Sequence, residues 1–207
     1  MARYTGAVCR LCRRERMKLF LKGPKCDTMK CPVERKPYPP GQHGRGRIRD
    51  SEYLLQLREK QKAKRIYGVL EKQFRNVYAV ANSEKGITGE NLLRMLELRL
   101  DNVVFRGNFA ASRSQARQFV RHGHVLVNGK RMSIPSAQVK QGDVIEISPK
   151  AKNFIVIRHN ADTIDRAVPL WLETTSGELK VTVRDLPLRE QIDIPVREQL
   201  IVELYSK

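Results

Sequence analysis

Apolar and polar positions along this chain of 207 residues change their spacing several times. Between 50 and 100 the apolar residues recur at helical intervals. Residues 50–83 predict two helices broken near Gly68, the first capped by Asp50 or Ser51. A third opens at Thr88 or Gly89 and sets Leu92, Leu93, Leu96 and Leu100 on one buried stripe. From Ser112 the period is again helical, with Ala116, Phe119 and Val120 inward. At His124-Val-Leu-Val it shortens to two, as a strand requires, and Val139-Lys-Gln-Gly-Asp-Val-Ile-Glu-Ile supplies a second strand. Residues 152–168 fit helix or strand equally. Trp171-Leu-Glu-Thr-Thr and Glu178-Leu-Lys-Val-Thr-Val, around Ser176-Gly177, alternate as strands, and Leu200-Ile-Val-Glu-Leu-Tyr is a further strand candidate.

One predicted helix breaks the apolar rule. On a wheel of ~100° per residue, residues 53–67 place Tyr53, Gln56, Leu57, Lys60, Lys64 and Tyr67 on a single face. A core face would not hold two lysines and a glutamine, and a solvated face seldom repeats tyrosine. Rings interleaved with ammonium groups suit RNA, which is held through backbone charge and unstacked bases. Residues 32–49, with four prolines and three glycines, exclude helix and strand alike and fit a basic arm that orders against phosphates.

Charge strengthens that picture. The 40 Lys+Arg against 22 Asp+Glu leave +18, and a surface so positive seeks polyanions, because each phosphate contact releases condensed counterions. Residues 1–90 carry 22 basic and 9 acidic groups, residues 91–160 carry 12 and 4, and residues 161–207 carry 6 and 9. The acidic tail is expected to meet a protein neighbour or solvent. No apolar run approaches the ~18–20 residues of a membrane helix, and the N-terminus lacks a signal-peptide core, so no membrane partner and a reducing, cytoplasmic setting are expected.

Residues 112–147 carry the strongest local signal. Ser112 with Gln115 three residues on is a capping-box pattern. Arg113, Arg117 and Arg121 project from one side of the helix, Gly123 supplies its left-handed C-terminal residue, and Asn128-Gly129 is a favoured two-residue hairpin turn, with Lys130 and Arg131 just past it. A basic helix edge ending beside a basic hairpin tip makes a groove that can follow a ribose-phosphate backbone. The run Ser112-Arg-Ser-Gln-Ala-Arg-Gln-Phe-Val-Arg-His-Gly-His-Val-Leu-Val-Asn-Gly-Lys resembles the alpha-L RNA-binding motif. That module also occurs in pseudouridine synthases, tRNA synthetases and a heat-shock protein. Pro40-Gly-Gln-His-Gly, Gln56-Leu-Arg-Glu-Lys-Gln-Lys, Arg65-Ile-Tyr-Gly-Val-Leu-Glu-Lys-Gln-Phe, Thr88-Gly-Glu-Asn-Leu-Leu, Arg99-Leu-Asp-Asn-Val-Val and Leu200-Ile-Val-Glu-Leu-Tyr-Ser-Lys resemble the bacterial small-subunit ribosomal protein S-four family, so the likeness covers essentially the whole chain.

The resemblance implies a primary assembly protein that grips a helical junction in the 5′ domain of small-subunit ribosomal RNA. It implies neighbours in ribosomal proteins five and three, a place near the channel by which mRNA enters, a part in decoding accuracy, and no homo-oligomer. Carried onto matching positions, RNA contacts fall on Arg47, Arg49, Tyr53, Gln56, Lys60, Lys64, Arg113, Arg117, His122, Asn128 and Lys130. The expected fold is α+β: a metal-stapled basic arm (1–49), a helical lobe (50–97 with 161–207, including terminal strands), and an inserted alpha-L lobe (98–160) with a small antiparallel sheet.

Cys9, Cys12, Cys26 and Cys31 form a C-x2-C-x13-C-x4-C pattern, which can bring four thiolates to the corners of a tetrahedron. The expectation is one structural zinc, with an iron–sulfur cluster as the alternative sequence leaves open. Arg10, Arg13, Arg14, Lys25 and Lys30 are expected to lower the thiol pKa values. His43, His122, His124 and His159 are not spaced for a second metal. No Gly-rich phosphate loop or nucleophile elbow points to an enzyme, and Asp101, Asp143 and Asp185 are expected in turns or at strand edges.

Overall fold

The structure, a computed structural model, describes residues 2–46, 49, 51–175 and 178–206. It is α+β, and divides into two compact units, residues 1–91 with 194–207 and residues 92–193.

In the first unit, helix α1 (Cys9–Glu15) precedes a 3₁₀ turn (Gly23–Cys26), the short helix α2 (Pro32–Arg35) and a second 3₁₀ turn (Gln42–Arg45). The arm therefore contains single turns of helix where its prolines predicted none. Pro32 stands in the first turn of α2, where its missing N–H leaves no bond unmade. Helix α3 (Glu52–Ile66) is capped by Ser51, whose hydroxyl accepts from the Leu54 N–H at 3.3 Å. Helix α4 (Glu71–Ser83) follows the expected break. Ala63, Phe74, Ala81 and Ile201 are fully buried here. Glu15, its side chain only 1% exposed, ion-pairs with Arg58 at 3.4 Å and with Arg65, which ties the cysteine-bearing segment to α3. Burial pushes the Glu15 carboxyl up, more than Arg65 and Arg58 pull it down.

Helix α5 (Thr88–Glu97) buries Leu92, Leu93 and Leu96 as predicted. Leu100 lies beyond its end, in the first turn of helix α6 (Leu100–Arg106); between them Arg99 makes an isolated antiparallel bridge with Gln138. Helix α7 (Arg113–Arg121) is followed by β1 (Val125–Val127), β2 (Lys130–Arg131) and β3 (Val144–Ile147). The ambiguous stretch resolves as helix α8 (Ile155–Thr163). Strands β4 (Leu172–Thr175) and β5 (Lys180–Val183) form the expected hairpin. β5 pairs antiparallel with β3, giving a five-stranded sheet in the order β2-β1-β3-β5-β4. Residues 161–193 thus belong with the alpha-L residues. Ile145, Ile147, Val181 and Val183 share one fully buried core with Val120, Val125 and Trp171.

Residues 200–205, a strand candidate by sequence, lie in helix α9 (Glu198–Tyr205). The β-branched run suggested an extended chain, yet the sheet belongs to the other unit. An amphipathic helix buries Ile201 and lays Tyr205 over Tyr78, with ring centroids 4.4 Å apart. Tertiary packing outweighs local preference.

Candidate nucleic-acid interface

The α7–hairpin segment forms as its sequence dictates. The Ser112 hydroxyl accepts from the Gln115 N–H at 3.3 Å. The Gln115 side chain reaches one residue further back than a capping box requires and accepts from the Ala111 N–H at 2.7 Å. Gly123 adopts φ +71°, and Asn128 and Gly129 adopt φ +50° and +76°, the positive pair that a two-residue turn of this hand needs. Asn128 is exposed, but its side chain is occupied: its Oδ1 accepts from the Val144 N–H and its Nδ2 donates to Asp143, both at 2.9 Å. It shapes the hairpin tip and presents Lys130, which is exposed, as is His122.

Three arginines in register on one helix edge repel each other, and the fold relieves two of them. Arg113 donates to Asn102 Oδ1 at 2.8 Å and lies 4.3 Å from the Phe105 ring centroid. Arg117 donates to Asp101 Oδ2 at 3.1 Å. Asp101 also takes a bidentate bond from buried Arg99, at 3.1 and 2.8 Å, so it serves an ion cluster, not a turn. Behind them Glu97, fully buried, accepts from Asn102 at 2.7 Å and from Arg106 at 2.9 and 3.0 Å. Arg106 donates onward to Asp193 at 2.6 Å. Burial opposes the Arg106 charge, but Glu97 and Asp193 outweigh it and hold its pKa above the ordinary value. Arg121 and Arg131 stay exposed, and Arg131 donates to the His122 carbonyl at 3.1 Å. Both lie on the basic helix edge and hairpin tip that the sequence predicts, although the positions carried over from the family resemblance do not include them.

In the first unit the face of α3 is divided. Tyr53 is 59% exposed. Gln56 is 1% exposed and donates to Glu203 of α9 at 3.0 Å, so its burial removes it from the RNA-facing set. Tyr67 is buried as well. Lys60 and Lys64 donate to the two oxygens of Glu71 at 2.7 and 2.9 Å. Burial raises the Glu71 pKa, but those two ammonium groups outweigh it and bring the carboxyl down to about 2. The Tyr205 hydroxyl donates to Glu71 at 3.1 Å and is itself pushed up, first by burial and then by that carboxylate. Arg49 is exposed, and Arg47 lies outside the described residues. In the arm, the Arg13 and Arg45 guanidiniums lie 5.0 and 4.7 Å from the Tyr38 ring centroid, and the Arg45 hydrogen bond lowers the Tyr38 pKa. This stack was invisible in sequence, since Arg13 and Tyr38 lie 25 residues apart.

The four cysteines are free thiols that line one cavity of about 10 Å³. Cys12, Cys26 and Cys31 are buried, and the Lys22 N–H donates to Cys26 Sγ at 3.4 Å. Burial, then the other thiols, pushes the Cys12 and Cys26 thiols up; the neighbouring cations expected to lower them do not prevail. The donor chemistry fits a thiolate-binding metal. As the side chains stand, no group of three or more His, Cys, Asp or Glu among the described residues is arranged as a coordination shell.

Residues 3–97 match the ribosomal protein S4/S9 N-terminal domain family, and residues 98–145 match the S4 domain family. Aligned over the full length of both chains, the protein is 63% identical to small ribosomal subunit protein uS4 of Frankia casuarinae. It is 62% identical to that of Acidothermus cellulolyticus and 57% to that of Geobacter sulfurreducens, again over the whole of each chain. The chain belongs to the uS4 family. The S4-domain match ends at 145, while the β3 strand it reaches continues to 147 and is covered on its far edge by β5, so the folded unit outruns the family segment. No described helix is long and apolar enough to cross a membrane.

Proposed function

We propose that this chain is a structural, non-enzymatic component of the small ribosomal subunit that binds its RNA early in assembly, at a helical junction of the 5′ domain. The observation that carries this reading is the capped α7 and its hairpin, which present Arg121, His122, Lys130 and Arg131 to solvent within residues matching the S4 domain family. The full-length likeness to proteins named for the small ribosomal subunit supports the ribosome as its location. Arg49 and Tyr53 contact RNA in the first unit. Lys60 and Lys64 do so by exchanging Glu71 for phosphate, and Arg47 joins them on sequence grounds. Arg113, Arg117 and Asn128 act from behind, by holding the α7 edge and the hairpin tip. Ribosomal proteins five and three, nearby mRNA and a part in decoding accuracy complete the assignment by family likeness.

The test is filter binding of the full chain to a 5′-domain ribosomal RNA transcript and to duplex DNA at equal salt. Tight binding to the RNA, weakening steeply with salt, is expected. Comparable affinity for both would overturn the reading.

Cys9, Cys12, Cys26 and Cys31 would hold one structural metal, zinc by preference and an iron–sulfur cluster as the alternative. Their convergence on a single small cavity supports this. The metal would staple a segment with little core of its own. Elemental analysis with a visible spectrum on anaerobically purified protein separates zinc from a cluster, and neither being present overturns the proposal. Stripping the metal should loosen residues 1–45 in hydrogen exchange while 113–147 stay protected; equal loss in both counts against it.

A further inference from the structure

The second unit carries an open groove of about 620 Å³ beside its basic edge. Phe119 of α7, His122 and His124 of the following turn, and Phe154 and Ile155 at the start of α8 form its walls. The His124 ring stands edge-on to Phe154 at 5.0 Å, to His122 at 5.8 Å and to Phe119 at 6.5 Å between centroids. Phe154 and Ile155 are 44% and 84% exposed, an apolar surface that water disfavours and no part of the unit covers. No carboxylate is among the described residues lining the groove.

Two cations are fixed at its margins by bonds to the lining itself. Arg131 donates to the His122 carbonyl at 3.1 Å. Arg158 donates to Asn153 Oδ1 at 2.7 Å and to the Lys152 carbonyl at 2.9 Å, and Asn153, like His122, lines the groove. Aromatic and imidazole faces with two guanidiniums anchored to the lining match a strand whose bases are apolar and flat and whose backbone is anionic. A basic rim with no carboxylate argues for a polyanion over a protein segment.

We infer that this groove receives unstacked nucleobases of a single-stranded RNA segment, whose flanking phosphates rest on Arg131 and Arg158. The inference depends on the RNA-binding reading above and specifies how one surface of it works. Burial, His122 and Arg131 lower the His124 pKa, so at neutral pH the ring at the groove's centre offers an uncharged stacking face. The volume lies in the range of ordinary small-ligand sites, enough for a nucleoside.

The test uses the full chain and the 5′-domain transcript, with affinity followed across salt concentrations. Stacking and phosphate contact separate there, because only the latter contributes to the log–log salt slope. Phe154→Ala is expected to weaken binding roughly 5- to 150-fold at every salt concentration, with the slope unchanged. Gln118→Trp, at an exposed position on the groove wall, should block the site with the same signature and keeps the test open if Phe154→Ala lowers stability. Wild-type affinity in both variants overturns the inference while leaving RNA binding intact, and it does so equally if the variants shed a neighbouring ribosomal protein. Failure of the unaltered chain to prefer RNA sinks the broader reading instead.

Discussion

Helices α3 and α7 both carry rows of cations that sequence assigns to RNA, and both turn part of that charge back onto the protein, at very different depths. On α3, Lys60 and Lys64 hold Glu71, whose side chain is 46% exposed. On α7, Arg113 and Arg117 hold Asn102 and Asp101, which are 1% and 4% exposed and belong to a cluster that includes buried Glu97, Arg99 and Arg106. A half-exposed pair is weak and open to exchange with a phosphate. A buried one cannot be opened without stranding its partners. Counting arginines and lysines thus overstates the surface that RNA can use, and the residues that remain, Arg121, Lys130 and Arg131, sit where the helix and hairpin end.

The sharpest way to break this contrast is to remove the buried anion. Glu97→Ala leaves Arg106, 4% exposed, with the exposed Asp193 side chain as its remaining carboxylate, and should cost about 3–5 kcal/mol in denaturant unfolding. A loss under about 1 kcal/mol would show that the cluster does not hold α5, α6 and α7 together.

The next effect separates exposed from committed arginines on RNA. Arg121→Gln with Arg131→Gln should flatten the log–log salt slope by about 1.4–1.8 units. Arg113→Gln with Arg117→Gln should lower thermal stability and move the slope by less than about half a unit. The reverse result would return the α7 edge to the interface.

The smallest effect belongs to Glu71. Its folded pKa of about 2 lies below the ordinary 4.5. Its ion pairs therefore stabilise the first unit fully above the ordinary value and are lost as pH falls from about 4.5 toward 2. Because the carboxylate is half exposed, Glu71→Gln should cost only about 0.5–1 kcal/mol at neutral pH, a difference that disappears in acid. The same substitution frees Lys60 and Lys64 and should tighten RNA binding about 2- to 5-fold at low salt. Unchanged affinity would remove both lysines from the RNA surface.

What could be read from the sequence was local. The Ser112 cap, the left-handed Gly123 and the Asn128-Gly129 turn each depend on neighbours within a few residues, and each stands where expected. Gln56 looked like part of a polar face because its partner, Glu203, lies 147 residues away. The terminal run 200–205 reads as a strand because nothing within it announces that it will lie beside helices. Likewise β5 carries no sign that its partner is β3, so the sequence alone does not show that residues 161–193 join the unit of residues 92–193. For the candidate interface, cation positions were legible and their commitments were not, since Asp101 is separated from Arg117 by 16 residues.

Helix α9 gives the chain a schedule. Its docking on α3 joins residues more than a hundred positions apart, so during synthesis α3 waits for this contact until residues 198–205 have been made. Residues 92–193 are contiguous and can fold while that wait continues, at the ~5–20 residues per second of translation. The nascent protein therefore owns a finished hairpin before it owns a finished helical half.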